Sequence, residues 1–551
     1  MTNTMLTTLS AARLRAFYEA GYWQDKTIYD LVRTHAGQHP DRIAIRERTR
    51  AVSYVDLIGA ADRLAGAFAD AGLRRGQRVA VWLPSRIETA VAFLACSRSG
   101  YVSCPSLHRA HTVGEITNLL QRMDAAALVA EEGYGADADR RSIIDEAKSV
   151  ESLRLIVPLP PVTDEDDNRL LASLPAGKPT AQRTDPNTVV YLAFTSGSSG
   201  RPKGVMHSDN TVMAPVRALA RDWSLSDDMV VYSMSPLSHN LGFGAMILAL
   251  TGGGELVVHD VKKGDSLTDR LRETGATFMF GVPTHAIDLL AELEDRPEAR
   301  PTTVRGFRIS GAPVPPYVAE ALLEHGMTPQ SGYGMTEAGS HHYTSPTDTA
   351  EMIVSSSGRP CAGHETKVFS QSDPDVEMPP GEIGQIGARG AALMLGYFDD
   401  QRLTEGSFNG DGWFLSGDLG WVDESGYIRV TGRKKDLIIR GGHNIFPATI
   451  ENLAVRHPAV DHAAAIPIPD ERLGEKVCLV VTVRDGSVID PMDVLEHLAA
   501  AGLSKYDMPE YFATVAEMPL LPSGKILKRQ LLDLASAGEL HPDPVHFTPS
   551  S

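Results

Sequence analysis

The chain has 551 residues, more than one hydrophobic core usually holds, so at least two domains are predicted. Its 42% hydrophobic and 22% charged residues are ordinary globular values and exclude a disordered, collagen-like or disulfide-scaffold protein. With 52 basic against 70 acidic residues and a net charge of −18, it is not a general nucleic-acid binder or a basic membrane-surface protein, although a small basic site for an anionic ligand is compatible with that balance.

The start, MTNTMLTTLSAARLRAFYEAGYW, lacks the charged-then-apolar order of a signal peptide, and no segment approaches the ~18–20 uninterrupted apolar residues of a membrane span. Cys96, Cys104, Cys361 and Cys478 match no zinc spacing and read as small buried hydrophobes. A reduced, cytoplasmic protein of enzyme size is expected.

Along the first half, strand-like and helix-like segments alternate. Arg78–Leu83 is a short apolar, β-branched run. After Pro84 and Ser85 the stretch Arg86–Arg98 has helical spacing and closes toward Gly100. Further strands are predicted at Ala127–Ala130, Leu153–Val157, Val189–Phe194, Val230–Met234, Glu255–Val258 and Thr277–Phe280, and an exposed loop at Pro158–Asp167. This is the grammar of a layered α/β domain. From Gly381 the pattern becomes short strands with glycine turns, GEIGQIGARG, GWFLSGDLGWV and GYIRVTGR, which predicts a small β-barrel or meander. The rest alternates helix and strand again, a small α+β domain. The boundary is placed after Arg433, giving domains 1–433 and 434–551.

Four segments carry chemistry. The first, Tyr191–His207, runs from an apolar strand into Thr195-Ser196-Gly197-Ser198-Ser199-Gly200 and then Arg201-Pro202-Lys203-Gly204. Glycines let backbone N–H groups turn inward, hydroxyls add donors and Lys203 adds charge, so the loop can wrap a polyphosphate. It is not a Walker A loop, because glycine follows the lysine. Nor does a helix start at once: Val205-Met206 continue extended, and the N-cap signal comes at Ser208-Asp209. A flexible linker rarely carries an apolar strand on one side and Arg-Pro-Lys on the other.

The second segment is Ser331–Gly339, SGYGMTEAG. Tyr333 between Gly332 and Gly334 predicts an exposed ring face for a purine, Thr336 offers a hydroxyl, and Glu337 a carboxylate for Mg²⁺. The third places Asp418 after Ser416-Gly417 and Arg433 after Gly432; a carboxylate can take both hydroxyls of a ribose, and a turn with an ion pair is equally compatible. The fourth is Lys525 in PLLPSGKILKR, which alone would read as a solvated surface lysine.

In this order the four segments resemble the acyl-adenylate-forming superfamily, which includes acyl-CoA synthetases, adenylation domains and luciferases. The likeness runs from Val52-Ser53-Tyr54-Val55-Asp56-Leu57 to Lys525. It implies a large N-terminal domain of layered α/β subdomains with a small β-barrel, and a mobile C-terminal domain. It further implies that Thr195–Lys203 holds the ATP β- and γ-phosphates. Gly311-Ala312-Pro313 and Ser331, Gly332, Tyr333, Gly334 and Met335 would line the adenine pocket. Thr336 would contact the α-phosphate, and Glu337 would bind Mg²⁺. Asp418 would grip the ribose, with Val430 and Arg433 beside the nucleotide. Lys525 would bridge the substrate carboxylate and the α-phosphate. Lys435 stands at the hinge position, and Arg440, Gly441, Gly442 and His443 match the segment lining a pantetheine tunnel in relatives that use coenzyme A.

The form of GRKKDLIIRGGHNIFPATIE resembles acyl-CoA synthetases for medium-chain, cyclic or aromatic acids, so the reaction expected is carboxylate–CoA ligation. His239-Asn240 in SPLSHNLGFG resembles instead the aryl-acid adenylation enzymes that pass the acyl group to a carrier protein, although threonine at Thr336 departs from their frequent alanine. His239, Asn240, Phe243 and Gly332 are expected near the acyl group. The expected partners are a small carboxylic acid, ATP and coenzyme A, with no nucleic acid and no membrane span; a homo-oligomer is compatible with the sequence. A catalytically silent homologue would have lost Lys525, Glu337 or Asp418, and all three are present.

Overall fold

The run Arg78–Trp82 forms a strand, and the helix Ile87–Ser99 follows it, stopping at Gly100, whose φ of 80° gives the left-handed C-cap that only glycine adopts cheaply. The strands Val189–Thr195, Val230–Ser233, Glu255–Val258 and Phe278–Gly281 lie within about a residue of their expected limits. The computed structural model describes residues 7–163, 171, 173–195, 202–262, 264–520 and 526–547. Two compact units result: Met1–Thr366 with Ala388–Phe414, and Lys367–Gly387 with Leu415–Ser551.

The first unit is built on two sheets. A seven-stranded sheet has the order Gly396–Tyr397, Lys203–Ser208, Val189–Thr195, Val102–Cys104, Arg78–Trp82, Ala125–Glu131, Leu155–Leu159. It is parallel from Val189–Thr195 onward and antiparallel at the Lys203 end. The second sheet has nine strands, with a parallel centre from Thr328–Met335 through Gly306–Ile309, Phe278–Gly281, Val230–Ser233 and Glu255–Val258 to Ile43–Arg46. Helices Tyr54–Asp70, Ile87–Ser99 and Asn240–Gly252 share one apolar core with the facing sides of both sheets, where Val79, Val81 and Tyr191 of one and Val231, Phe278 and Phe280 of the other are buried. Helices covered on both sides read as apolar all round, and Asn240–Gly252 does. Phe307, Ile309 and Met279 point the opposite way, into a separate core under the outer helices.

Arginines buried in this unit come with carboxylates. Glu88, in the apolar helix, meets Arg50 Nη1 at 2.7 Å and Arg86 Nε at 2.7 Å, and Arg86 reaches Glu131 at 2.6 Å. Burial alone would raise Glu88, but the two guanidiniums overcome it and hold its carboxyl below the usual range. Arg183 pairs with the fully buried Asp209.

The loop expected at Pro158–Asp167 starts later, and its residues 164–167 lie outside the described residues. Pro158 and Leu159 do not belong to a loop: the strand runs Leu155–Leu159, with Leu159 buried. It is the edge strand of its sheet, where a proline lacking N–H removes no ladder bond. The chain leaves the sheet only at Pro160.

The expected barrel or meander is a meander of four strands, His364–Phe369, Gly384–Gly390, Phe414–Val422 and Ile428–Arg433, in that order. Beyond it lies an α+β arrangement around the long hairpin Val460–Asp470 and Gly474–Val483. Helices Pro447–Ala454 and Pro491–Ala500 cover one face and Lys528–Ala537 the other. All four cysteines are free and buried, as expected of small hydrophobes. Among the described residues no helix is long and apolar enough to cross a membrane.

Candidate active site

Thr195 and Lys203 are directly paired, the last residue of one strand and the first of the next, so the segment between them is the connection of a hairpin. Its Ser196, Gly197, Ser198, Ser199 and Gly200 lie outside the described residues. After Lys203 the strand continues to Ser208, whose hydroxyl caps the helix Asp209–Asp222 by accepting from Thr211 N–H. The helix thus begins a full strand after the phosphate-loop candidate, which separates this site from a Walker A loop in geometry as well as spacing.

Lys203 is brought to Glu337 through Tyr397. The Lys203 ammonium lies 5.1 Å from the centre of the Tyr397 ring, and Tyr397 donates its O–H to Glu337 Oε1 at 2.8 Å. Burial, and then the Glu337 charge, push the Tyr397 phenol well above its ordinary range, so it stays a donor. Tyr397 belongs to the short strand paired with Lys203–Ser208, which is how a residue far along the chain reaches the site. On the other side His207 Nε2 lies 2.7 Å from the Thr336 carbonyl and Nδ1 lies 3.0 Å from Thr211 Oγ1. A carbonyl only accepts, so Nε2 carries the proton. Burial lowers His207 to about 4, which keeps the ring neutral at pH 7 and leaves Nδ1 to accept from the Thr211 hydroxyl.

Thr336 and Glu337 follow the strand Thr328–Met335 in a turn and are half-buried. Gly334 is required there, because a Cβ would stand 2.4 Å from the Gly339 carbonyl oxygen of the returning strand. Ser331 is buried and its N–H donates to Thr344 Oγ1. Tyr333 does not offer the open ring face expected of it. It is 8% exposed, and its ring sits 5.6 and 5.7 Å from the rings of His341 and His342. The cause is register: Tyr333 pairs with His342 across the hairpin, so both side chains share a face. Gly311, at φ 99°, turns the chain out of the strand Gly306–Ile309, and Ala312 and Pro313 are exposed.

His239 caps the helix Asn240–Gly252, its Nδ1 accepting from Leu241 N–H at 3.4 Å, and its ring is 6.2 Å from His108. Asn240 is half-buried at the first turn. Phe243 is only 2% exposed: it stacks on Tyr191 at 4.1 Å and meets Phe93 edge-on at 5.0 Å. It belongs to the core behind the site, linked to His207 through the Tyr191 ring at 6.2 Å.

In the second unit, Asp418 and Arg433 are cross-strand partners joined by an ion pair of 3.1 Å, with Asp418 buried and Arg433 half-exposed. Val430 opposes Gly420 in the same ladder. Arg440 donates to Glu510 at 2.6 Å and to the Tyr506 carbonyl, and His443 meets Asp507 at 2.7 Å. Gly441 and Gly442, at φ 57° and 87°, form the two-residue turn joining Ile438–Arg440 to His443–Ile445. Two successive positive φ values are the signature of a type I′ hairpin, which by itself explains the glycine pair. Lys435 is exposed in a short 3₁₀ turn, Lys434–Asp436. Lys525 lies outside the described residues; the Leu520–Ile526 bridge pins both flanks of its segment.

Tyr397 and His207 were not among the residues singled out by sequence. His207 was visible as the polar residue of an apolar strand just before the N-cap, whereas nothing local marked Tyr397. Replacing Tyr397 with phenylalanine removes one hydrogen bond to a carboxylate, about 1.5–3 kcal/mol, so a loss of about 10–100-fold in the ATP-dependent step is expected. Steady-state kinetics at varied ATP and Mg²⁺ checks this, and an unchanged rate would remove Tyr397 from the site.

Known proteins resemble the chain over most of its length. The AMP-binding enzyme model matches residues 32–398, and the AMP-binding enzyme C-terminal domain model matches residues 449–525. The medium-chain fatty-acid–CoA ligase of Escherichia coli strain K12 is 31% identical over 527 residues, covering 95% of this chain and 92% of that protein. A Streptomyces salicylyl-CoA synthase / salicylate adenylyltransferase is 30% identical, covering 94% and 95%. Among solved structures, ATP-bound MatB from Rhodopseudomonas palustris superposes with a TM-score of 0.81 at 27% identity, covering 93% of this chain and 99% of that one. The chain belongs to the AMP-binding enzyme family. Within the acyl-adenylate-forming superfamily it stands in the acyl-CoA ligase branch, an AMP-forming acid–thiol ligase of large N-terminal and small C-terminal domains.

Proposed function

We propose that this chain joins a carboxylic acid to coenzyme A in two steps at the residues described above. In the first, the acid's carboxylate attacks the α-phosphorus of ATP, the bond to the β-phosphate oxygen breaks, and pyrophosphate leaves; in the second, the coenzyme thiolate attacks the acyl carbon and AMP leaves. The observation that carries the reading is the linked set Lys203, Tyr397 and Glu337 beside the turn that bears Thr336. The nucleophile is already ionised, so the first step needs no general base; it needs positive charge where two anions meet and where pyrophosphate departs.

Thr195 and Lys203 flank the connection that would hold the β- and γ-phosphates. Thr336, its carbonyl fixed by His207, presents its hydroxyl to the α-phosphate. Asp418 and Arg433 serve the ribose, and Gly311, Ala312, Pro313 and Ser331 the adenine. Glu337 suits Mg²⁺: one oxygen accepts from Tyr397, and its position is fixed by the Met394 N–H on its own carbonyl at 2.7 Å. The ion, when bound, would neutralise phosphate charge. Lys525 supplies the remaining point charge, and the segment after Arg433, with Lys435 as its hinge, moves as the C-terminal domain between the two steps. In the Arg440–His443 turn the His443 side chain is half-exposed and so open to a coenzyme, whereas Arg440 is largely covered and held by Glu510. The enzyme would work in the cytoplasm.

The test is a panel of straight-chain, cyclohexyl, benzoic and salicylic acids with ATP and Mg²⁺, with AMP followed in the presence and absence of coenzyme A. Coenzyme-dependent AMP and an acyl-CoA product are expected. His239-Asn240 favours a second reading, an adenylation enzyme that loads a carrier protein. Pyrophosphate exchange with an acid, but no coenzyme-dependent product, would establish that reading instead.

A further inference from the structure

Arg308 breaks the rule that this fold otherwise follows for buried arginines. It is 1% exposed on the strand Gly306–Ile309, yet among the described residues no carboxylate pairs with it. Arg50, Arg86 and Arg183, equally buried, each have one. Among the described residues the Arg308 charge meets only the Oε1 of Gln330, its partner in register on the next strand, and the face of the Tyr343 ring 5.3 Å away. The nearby carboxylate of Asp222 is engaged by the Tyr343 hydroxyl at 2.8 Å and by Arg221 at 2.8 Å. Two donors are left over at the same spot, Arg308 Nη2 and Gln330 Nε2, both buried and without an acceptor among the described residues. Burial pulls the guanidinium down to about 10, which still leaves it charged at neutral pH.

The side chain points the right way to matter. Phe307 and Ile309 face the outer core, so Arg308 faces the inner side of the sheet, as Phe278, Phe280 and Tyr343 do. From there it runs along the neighbouring strand toward the adenylation turn: a Cβ on Gly332 would stand 3.1 Å from Arg308 Nη2. Gly332 is four residues before Thr336, ~13 Å at about 3.3 Å per residue of strand. Glycine at that position lets the guanidinium lie against the backbone there, since a Cβ would also stand 3.3 Å from Arg308 Cζ and 3.4 Å from the His342 carbonyl oxygen.

We propose that Arg308, with Gln330, is a specificity-determining residue that receives a second carboxylate at the far end of the acyl substrate, so that the acids this enzyme prefers are dicarboxylic. The inference deepens the ligase reading and rests on it. A fork of N–H donors matches carboxylate geometry, and a charge held without a counter-ion is completed by a substrate that brings one. Water could satisfy the leftover donors but would not cancel the charge, and the substrate ranking separates the two cases.

The experiment compares α,ω-dicarboxylic acids from adipic to dodecanedioic acid with their monomethyl esters and with the matching fatty acids, in wild type and in Arg308→Met. In wild type a diacid of fitting length is expected to exceed its monoester by about 100-fold in kcat/KM, and Arg308→Met is expected to abolish or reverse that preference. The ligand-free thermal midpoint of Arg308→Met is expected to hold or rise, because the variant removes an uncompensated buried charge. A wild type that activates monoesters and fatty acids as well as diacids, with a ratio unmoved by Arg308→Met, would overturn the proposal while leaving the ligase reading intact. A lowered midpoint in Arg308→Met together with an unmoved ratio would make Arg308 a structural strut. If no acid of any kind yields AMP, the ligase reading fails on its own. Thermal shift with the free diacids then still decides this point: stabilisation of wild type and not of Arg308→Met supports the site, and equal or no stabilisation removes it.

Discussion

Replacing Lys525 with alanine is expected to slow acyl-adenylate formation on the order of 10²–10³-fold, while the transfer of a supplied acyl-adenylate to coenzyme A stays within a few-fold of wild type. The asymmetry follows from charge. In the first step a carboxylate must approach a polyphosphate that is itself strongly anionic, and negative charge grows on the departing pyrophosphate. An ammonium on a flexible stem lowers that repulsion most where it is greatest, between the incoming carboxylate and the α-phosphate. In the second step the electrophile is an acyl carbon and the leaving group is AMP, so the same cation has far less to offset. Pyrophosphate exchange measures the first step alone, and rapid mixing of synthetic acyl-adenylate with coenzyme A measures the second. Equal losses in both, or an exchange rate within about tenfold of wild type, would assign Lys525 a structural role instead.

The protein is expected to lose much of its stability between pH 6.5 and pH 4. His108, His207, His285 and His341 are lowered to about 4 and His364 to about 3, in each case mainly by burial. The sign is set by which state holds more protons. An unfolded histidine titrates near its ordinary value of 6.5, so between 6.5 and 4 the unfolded chain binds protons that the folded one refuses. Stability therefore rises with pH through that window and falls as acid is added, by about 1–2 kcal/mol for each such histidine at pH 5. Even partial summation is comparable with the 5–15 kcal/mol that holds a typical domain together. The carboxyls of Glu47, Glu131 and Asp209, raised mainly by burial, act in the opposite direction and soften the loss at its acid end. Urea unfolding followed at pH 7.5, 6 and 5 checks the slope, and a flat profile across that range would show that these rings are protonated in the folded state.

What is legible in the amino-acid sequence is local. The strand, the phosphate-loop candidate, the second strand and the N-cap at Ser208 are each announced by neighbouring residues, so the order of elements from Val189 to Asp222 follows from the residues themselves. Gly100 as a C-cap is legible for the same reason. Pairings across the chain are not. Tyr397 reaches Glu337 only because Gly396–Tyr397 adds to the edge of a sheet begun at Lys203, and no local pattern encodes that addition. The burial of Tyr333 turns on hairpin register with His342, and the position of Arg440 on Glu510 from another element. Arg308 carries no local mark, because an arginine in an apolar strand resembles an edge residue until the strand is known to be central.

The seclusion of the cysteines has a practical side. Burial pushes the thiols of Cys104, Cys361 and Cys478 up to about 12 and that of Cys96 higher still. In the native enzyme they are protonated and shielded, and so are nearly inert toward disulfide reagents. A chromogenic thiol reagent added to a turnover mixture therefore counts coenzyme alone, with the protein contributing almost no background. The same reagent in denaturant reads four protein thiols per chain, an internal gauge of how much of a preparation is folded.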